Sequence, residues 1–135
     1  MSNVLDITMD EFLMGRQVRY PLDAQSLYNA PIMVGRANQL LEEFGQYRGV
    51  HSGYRPPAIN AITPNASKKS KHMICAACDL EDADGKLVAF CKANEALLEK
   101  IGLWFEDPAK TPGWCHIQIL PYGSWKPGKT RMFHV

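Results

Sequence analysis

His72 and Asp79 stand seven residues apart in Ser70-Lys-His-Met-Ile-Cys-Ala-Ala-Cys-Asp79, and a second histidine, His116, lies far downstream in Trp114-Cys-His-Ile-Gln118. A bend followed by a strand would carry two imidazoles and one carboxylate to a single divalent ion. Three protein ligands with a fourth position left to water is the arrangement of a catalytic zinc. An aspartate beside two neutral histidines lowers the charge of such a site while leaving the ion acidic enough to activate water. Taken bare, the His-x6-Asp spacing is weak, because a lone histidine is more often an ordinary hydrogen-bonded side chain. Its company carries the weight.

The elements around these residues can be read from pattern. Thr8-Met-Asp-Glu11 has the spacing of a capping box and opens a short helix to about Gly15, with Phe12 and Leu13 as buried anchors. Asn29 or Ala30 then caps a helix with Pro31 at its first position. Met33, Ala37, Leu40, Leu41 and Phe44 mark its apolar face, and Gly45 ends it. Val50 to Ser52 reads as a brief strand, Gly53 to Pro57 as a turn, Ala58 to Ile62 as one helical turn, and Thr63 to Lys71 as loop. Ile74 to Leu80 suits a buried strand. Leu87, Phe90, Leu97, Leu98 and Ile101 predict one amphipathic helix up to Gly102. Leu103–Glu106 and Trp114–Leu120 form a hairpin, and Arg131 to Val135 supplies a last strand.

The chain of 135 residues, 46% hydrophobic and 21% charged, is ordinary for one globular domain with a real core. A net charge of +1 without a long single-sign run gives no footprint for nucleic acid. A small polar or peptide substrate fits better. No signal-peptide pattern opens the chain and no run of about eighteen apolar residues interrupts it, so it reads as soluble, made in the cytoplasm and not inserted in a membrane. Four cysteines in that setting read as free thiols.

Ser52-Gly-Tyr-Arg55, Asn60, Ser70-x-His72-x6-Asp79 and Trp114-x-His116 together resemble the zinc D-alanyl-D-alanine carboxypeptidase and L-alanyl-D-glutamate endopeptidase family, which includes phage endolysins. Order and spacing match from about residue 50 to 120, and the flanking elements are similar to those of compact phage-type members. The resemblance implies an α+β domain of the Hedgehog/DD-peptidase fold over residues 1–135, a small antiparallel sheet with flanking helices. It implies Zn2+ held by His72, Asp79 and His116. It also implies that Arg55 holds substrate or steadies developing charge, a role that suits a guanidinium fork on independent grounds. The bland reading of Arg55 is a structural pair with a loop carboxylate. Tyr54 and Ser70 join Arg55 as substrate-facing residues, with Ser70 ordering the ligand loop rather than acting as a nucleophile.

Two positions depart from the family pattern. Its general base often lies three residues before the last histidine, where this chain has Gly113. If Leu103–Glu106 pairs with Trp114–His116, Glu106 falls opposite Trp114 on the face of His116 and becomes the candidate base, with Asp107 second. A solvated glutamate at a hairpin end is the competing reading. The family also has glycine three residues after its first histidine, where this chain has Cys75. The resulting Cys75-Ala-Ala-Cys78 could be a redox pair or half a structural metal site, but no second pair accompanies it, and buried thiols are the default. Asp82-Ala-Asp84-Gly85 lacks the remaining ligands of a calcium loop. His51 and His134 are unassigned, and Trp104 and Trp114 read as cleft wall or core.

The expected function is therefore a zinc peptidase acting on peptidoglycan stem peptides, phage-encoded, with the bacterial cell wall or a virion as its place of action and virion proteins as possible partners. The competing expectations are a virion structural or binding module that keeps the fold without turnover, and a redox or structural-metal protein built on Cys75 and Cys78.

Overall fold

The computed structural model describes residues 3–135. Its helices are α1 (Met9–Leu13), α2 (Ala24–Phe44), α3 (Pro57–Ala61), α4 (Lys86–Ala93) and α5 (Glu95–Ile101). Its strands are β1 (Val50–Ser52), β2 (Ala77–Glu81), β3 (Trp104–Glu106), β4 (Trp114–Gln118) and β5 (Met132–Phe133). The strands make one sheet in the order β1-β2-β4-β3-β5. The first four are antiparallel to their neighbours and β5 runs parallel to β3, so the sheet is mixed rather than antiparallel throughout. No helix among the described residues is long and apolar enough to cross a membrane.

Alternation along the strands divides the sheet into two faces. Cys78, Leu80, Cys115, Ile117 and Phe105 turn into the core, where they join Phe12 of α1, Met33, Ala37, Leu40 and Leu41 of α2, and Leu87 and Leu98 of α4 and α5. Asp79, His116, Gln118 and Glu106 have the opposite parity and share the other face.

α1 has the expected capping box in full: Thr8 Oγ1 accepts from Glu11 N–H and a Glu11 carboxylate oxygen accepts from Thr8 N–H. α2 begins earlier than the sequence suggests. Asp23 caps it by accepting from Ser26 N–H, and Pro31 lies inside it. A proline there leaves the carbonyl four residues before it without a helical partner. Both Leu27 and Pro31 are exposed, so the break faces solvent rather than the core. Asn29 is not the cap; its side chain donates to the Ile74 carbonyl at 3.0 Å and ties α2 to the segment that carries His72. The predicted single helix after Gly85 is two, broken at Asn94, whose side chain donates to the Phe90 carbonyl. The strand expected from Ile74 starts only at Ala77, because Lys71–Ile74 forms a 3-10 turn that ends on Cys75 in the left-handed region at φ 57°.

Gly53 shows where α1 meets the rest of the chain. Tyr54 N–H donates to the Phe12 carbonyl at 2.9 Å, and a Cβ added at Gly53 would stand 1.9 Å from that same oxygen. Only glycine permits this approach.

Candidate metal centre

His72, Asp79 and His116 converge. One ligand atom from each lies within 4.8 Å of the others. Asp79 and His116 are register partners on β2 and β4, with Asp79 Oδ1 2.8 Å from His116 Nδ1. His72, delivered by the 3-10 turn, places Nε2 3.2 Å from Asp79 Oδ2. Two ligand atoms each about 2.1 Å from a tetrahedral ion stand roughly 3.4 Å apart, so the spacing here needs only small adjustment. The donors fit as well. His72 Nδ1 lies 2.9 Å from the Gly53 carbonyl, an acceptor only, so that nitrogen carries hydrogen and Nε2 is left for an ion. His116 Nε2 lies 2.9 Å from Gln118 Oε1, and Gln118 Nε2 donates to the Leu120 carbonyl at 2.8 Å.

The electrostatics match this geometry. Burial alone would raise the Asp79 pKa, but the charge of His72 and the hydrogen bonds from His116 and His72 outweigh it and hold the carboxyl well below its usual range. Burial alone would lower the His116 pKa, and its hydrogen bond and attraction to Asp79 reverse the sign, so it is raised. Asp79 thus favours the protonated form of His116 in the ion-free protein, and a cation bound at this group would take the place of the Nδ1 proton.

The three residues lie in a cleft of about 990 Å³ that Arg55, Ser70 and Glu106 also line. Arg55 is held by neutral partners: its Nε donates to Asn60 Oδ1 at 3.0 Å and Nη2 to Ser70 Oγ at 3.1 Å. No ion pair holds it among the described residues, so the loop carboxylate of the bland reading is not its partner. Burial lowers its pKa, and the Asp79 charge opposes that shift. Ser70 Oγ also accepts from His72 N–H at 3.2 Å, capping the 3-10 turn. Ser70 thus orders the ligand turn and links it to Arg55.

Glu106 is 9% exposed, which separates it from a solvated hairpin end. Trp104 pairs with Gln118 and Phe105 with Ile117, so continuing the register sets Glu106 across from His116 rather than Trp114. The expected register was wrong by two residues. Because strand parity repeats every two, the face was right. Burial raises the Glu106 pKa; Asp79 and Asp107 add to the rise and His116 opposes it. Asp107, the second candidate base, is committed elsewhere: it accepts from Ala109 N–H and pairs with His134 at 2.9 Å. Gly113 adopts φ 90°, a turn conformation that disfavours an acidic side chain there.

Tyr54 does not belong to the cleft wall. It is 3% exposed in the core, its hydroxyl donates to the Tyr20 carbonyl, and its role is packing beside the ligand turn. The motif position was informative about Arg55 and not about its neighbour, because consecutive residues of an extended segment point opposite ways. The cysteines are all free and buried. Burial pushes the Cys75 thiol up to about 11 and Cys78 well above its usual value, which removes the thiolate a redox pair needs. Asp82 caps α4 through Leu87 and Val88 N–H and meets Arg48, so the acidic turn is structural.

Residues given no firm role from the sequence also line the cleft. His51 stacks on Trp114, centroids 4.9 Å apart, and pairs with Glu81. Arg16, Lys69, Lys71 and Lys110 add positive charge to the wall. Gln118 was readable in principle, being two residues after His116 on an alternating strand. The basic residues carried no signal, because they come from three separate segments. No protein-family model, no curated protein and no solved structure matches this chain.

Proposed function

We propose that this chain is a zinc peptidase of the Hedgehog/DD-peptidase fold that cuts a peptide bond in bacterial peptidoglycan stem peptides. The observation that carries the reading is the placement of a nearly buried carboxylate, Glu106, on the same sheet face as a two-histidine, one-aspartate group, with Arg55 in the same cleft. Bound there, zinc supplies Lewis acidity toward a carbonyl and an acidified water. Glu106, with its raised pKa, takes a proton from water and returns it to the leaving amine. Arg55, fixed by Asn60 and Ser70, steadies a substrate carboxylate or the oxygen on which negative charge develops. The lysines and arginines of the cleft suit the carboxylates of a stem peptide. Such an enzyme acts at the bacterial cell wall, as a phage lysis enzyme or as part of a virion with other virion proteins as neighbours.

The second reading, a virion module that keeps the fold without turnover, draws on Gly113, where the family pattern often has its base. Release of new amino termini from purified sacculi separates the two. The native chain is expected to release them, and His116→Ala to lose both metal and digestion. Digestion by His116→Ala would sink the zinc mechanism, and no digestion by the zinc-loaded native chain would leave the binding module.

A further inference from the structure

We propose that Gln118 is a positioning residue that fixes which ring nitrogen of His116 faces the metal ion. The inference rests on the zinc reading above and is carried by a hydrogen-bond chain whose far end has only one possible polarity. At the far end is the Leu120 carbonyl, which can only accept. The Gln118 atom 2.8 Å from it must therefore be the amide nitrogen. That leaves Oε1 as the atom 2.9 Å from His116 Nε2. An amide oxygen also only accepts, so His116 Nε2 carries a hydrogen. The nitrogen that can give up its proton to a cation is then Nδ1, which lies 2.8 Å from Asp79 Oδ1 in the centre of the ligand group. The reversed amide would set oxygen against oxygen at Leu120 and an NH2 group against the ring. Gln118 is 4% exposed, so water does not compete for these bonds.

His72 is fixed in the opposite sense. The Gly53 carbonyl makes its Nδ1 the donor and leaves Nε2 for the ion. The two imidazoles are thus held as opposite tautomers, one by a backbone carbonyl and one by a side-chain amide that is itself anchored to backbone. Both acceptors are neutral. A carboxylate in the place of Gln118 would raise the basicity of the ligand ring, whereas an amide orients it and leaves the bound ion more acidic.

The test needs zinc affinity and a ring-nitrogen spectrum, not turnover. In the zinc-loaded native protein, 15N NMR should find the His116 hydrogen on Nε2; a coordinated Nε2 would overturn the proposal without any substitution. In competition with a chromogenic chelator, Gln118→Met, close in shape but without the acceptor oxygen, should bind zinc about 10- to 100-fold more weakly. Gln118→Glu restores an acceptor for Nε2–H but sets a carboxylate against the Leu120 carbonyl, so it should recover the affinity while melting at a lower temperature. A purely structural role for Gln118 predicts that affinity follows melting temperature in both variants. Native-like affinity in Gln118→Met would sink the inference and leave the zinc reading intact. Failure of the native chain itself to take up zinc would sink both.

Discussion

Asp79 and His116 face one another as a register pair, so the 2.8 Å between Oδ1 and Nδ1 is set by the β2–β4 ladder rather than by a loop. Two of the three ligands are preorganised by the sheet. Only His72 depends on a turn, and that turn is tied to α2 through Asn29 and to Arg55 through Ser70.

The ion-free protein should have a bounded stability plateau. Asp79 titrates below its unfolded value of about 3.9, so its contribution is present above that pH and is lost as pH falls through the folded pKa. His116 titrates above its unfolded value of about 6.5, so its contribution is full below that pH and disappears as pH rises through the folded pKa. Melting temperature in chelator should therefore be highest between about pH 4 and 6.5. Zinc should remove the alkaline decline, because the ion replaces the Nδ1 proton. A flat profile from pH 6 to 9 in chelator would contradict the pairing.

If the proposed peptidase mechanism holds, Glu106→Gln should still bind zinc and lose roughly 10²- to 10⁴-fold in turnover of a stem peptide, the usual range for a positioned proton carrier. On the proposed reaction, the acid limb of kcat/KM of the native chain should fall above the ordinary glutamate value of about 4.3, in the direction of the Glu106 shift. Metal analysis beside peptide hydrolysis checks this, and unchanged turnover would remove Glu106 from the reaction.

Cys75 occupies a left-handed backbone position that L side chains adopt at a cost of about 1–2 kcal/mol. Cys75→Gly and Cys75→Ala both empty the buried thiol site, but only glycine relieves the backbone. Chemical denaturation should find the glycine variant more stable than the alanine variant by about 1 kcal/mol. The reverse order would mean that thiol packing alone governs the position.

Gly53→Ala should be among the most damaging single changes outside the ligands. Its new methyl group would meet backbone, which cannot swing aside as a side-chain tip could. A loss of about 3 kcal/mol is expected, or a melting temperature lower by roughly 10 °C. Thermal unfolding reads it directly.

Much of this was legible because it is periodic or local. The Thr8–Glu11 box, the apolar face of α2 from Met33 to Leu41, and the strands around Asp79 and His116 follow from spacing alone. What failed depends on solvent and on distant partners. Pro31 marks a helix start only if the chain before it has no cap of its own, and Asp23 provides one. Asn94 breaks a helix whose apolar periodicity runs straight through it. The hairpin register could not be counted from the loop, since Pro108–Lys110 coils into its own 3-10 turn. At the site, the candidate ligand set was visible in two short motifs. The core position of Tyr54 and the roles of Gln118 and the Gly53 carbonyl were not, because each is defined by a partner the motif does not contain.

The peptide unit at Gly53 has one further consequence. Its α-carbon is pressed by the carbonyl of Phe12 and its own carbonyl holds His72, so the amino-terminal helix and this candidate ligand share a single support. Linkage makes such sharing reciprocal. An ion that tightens His72 must also slow the local opening of α1, and hydrogen exchange at that helix, remote from the cleft in sequence, becomes a gauge of whether the centre is filled.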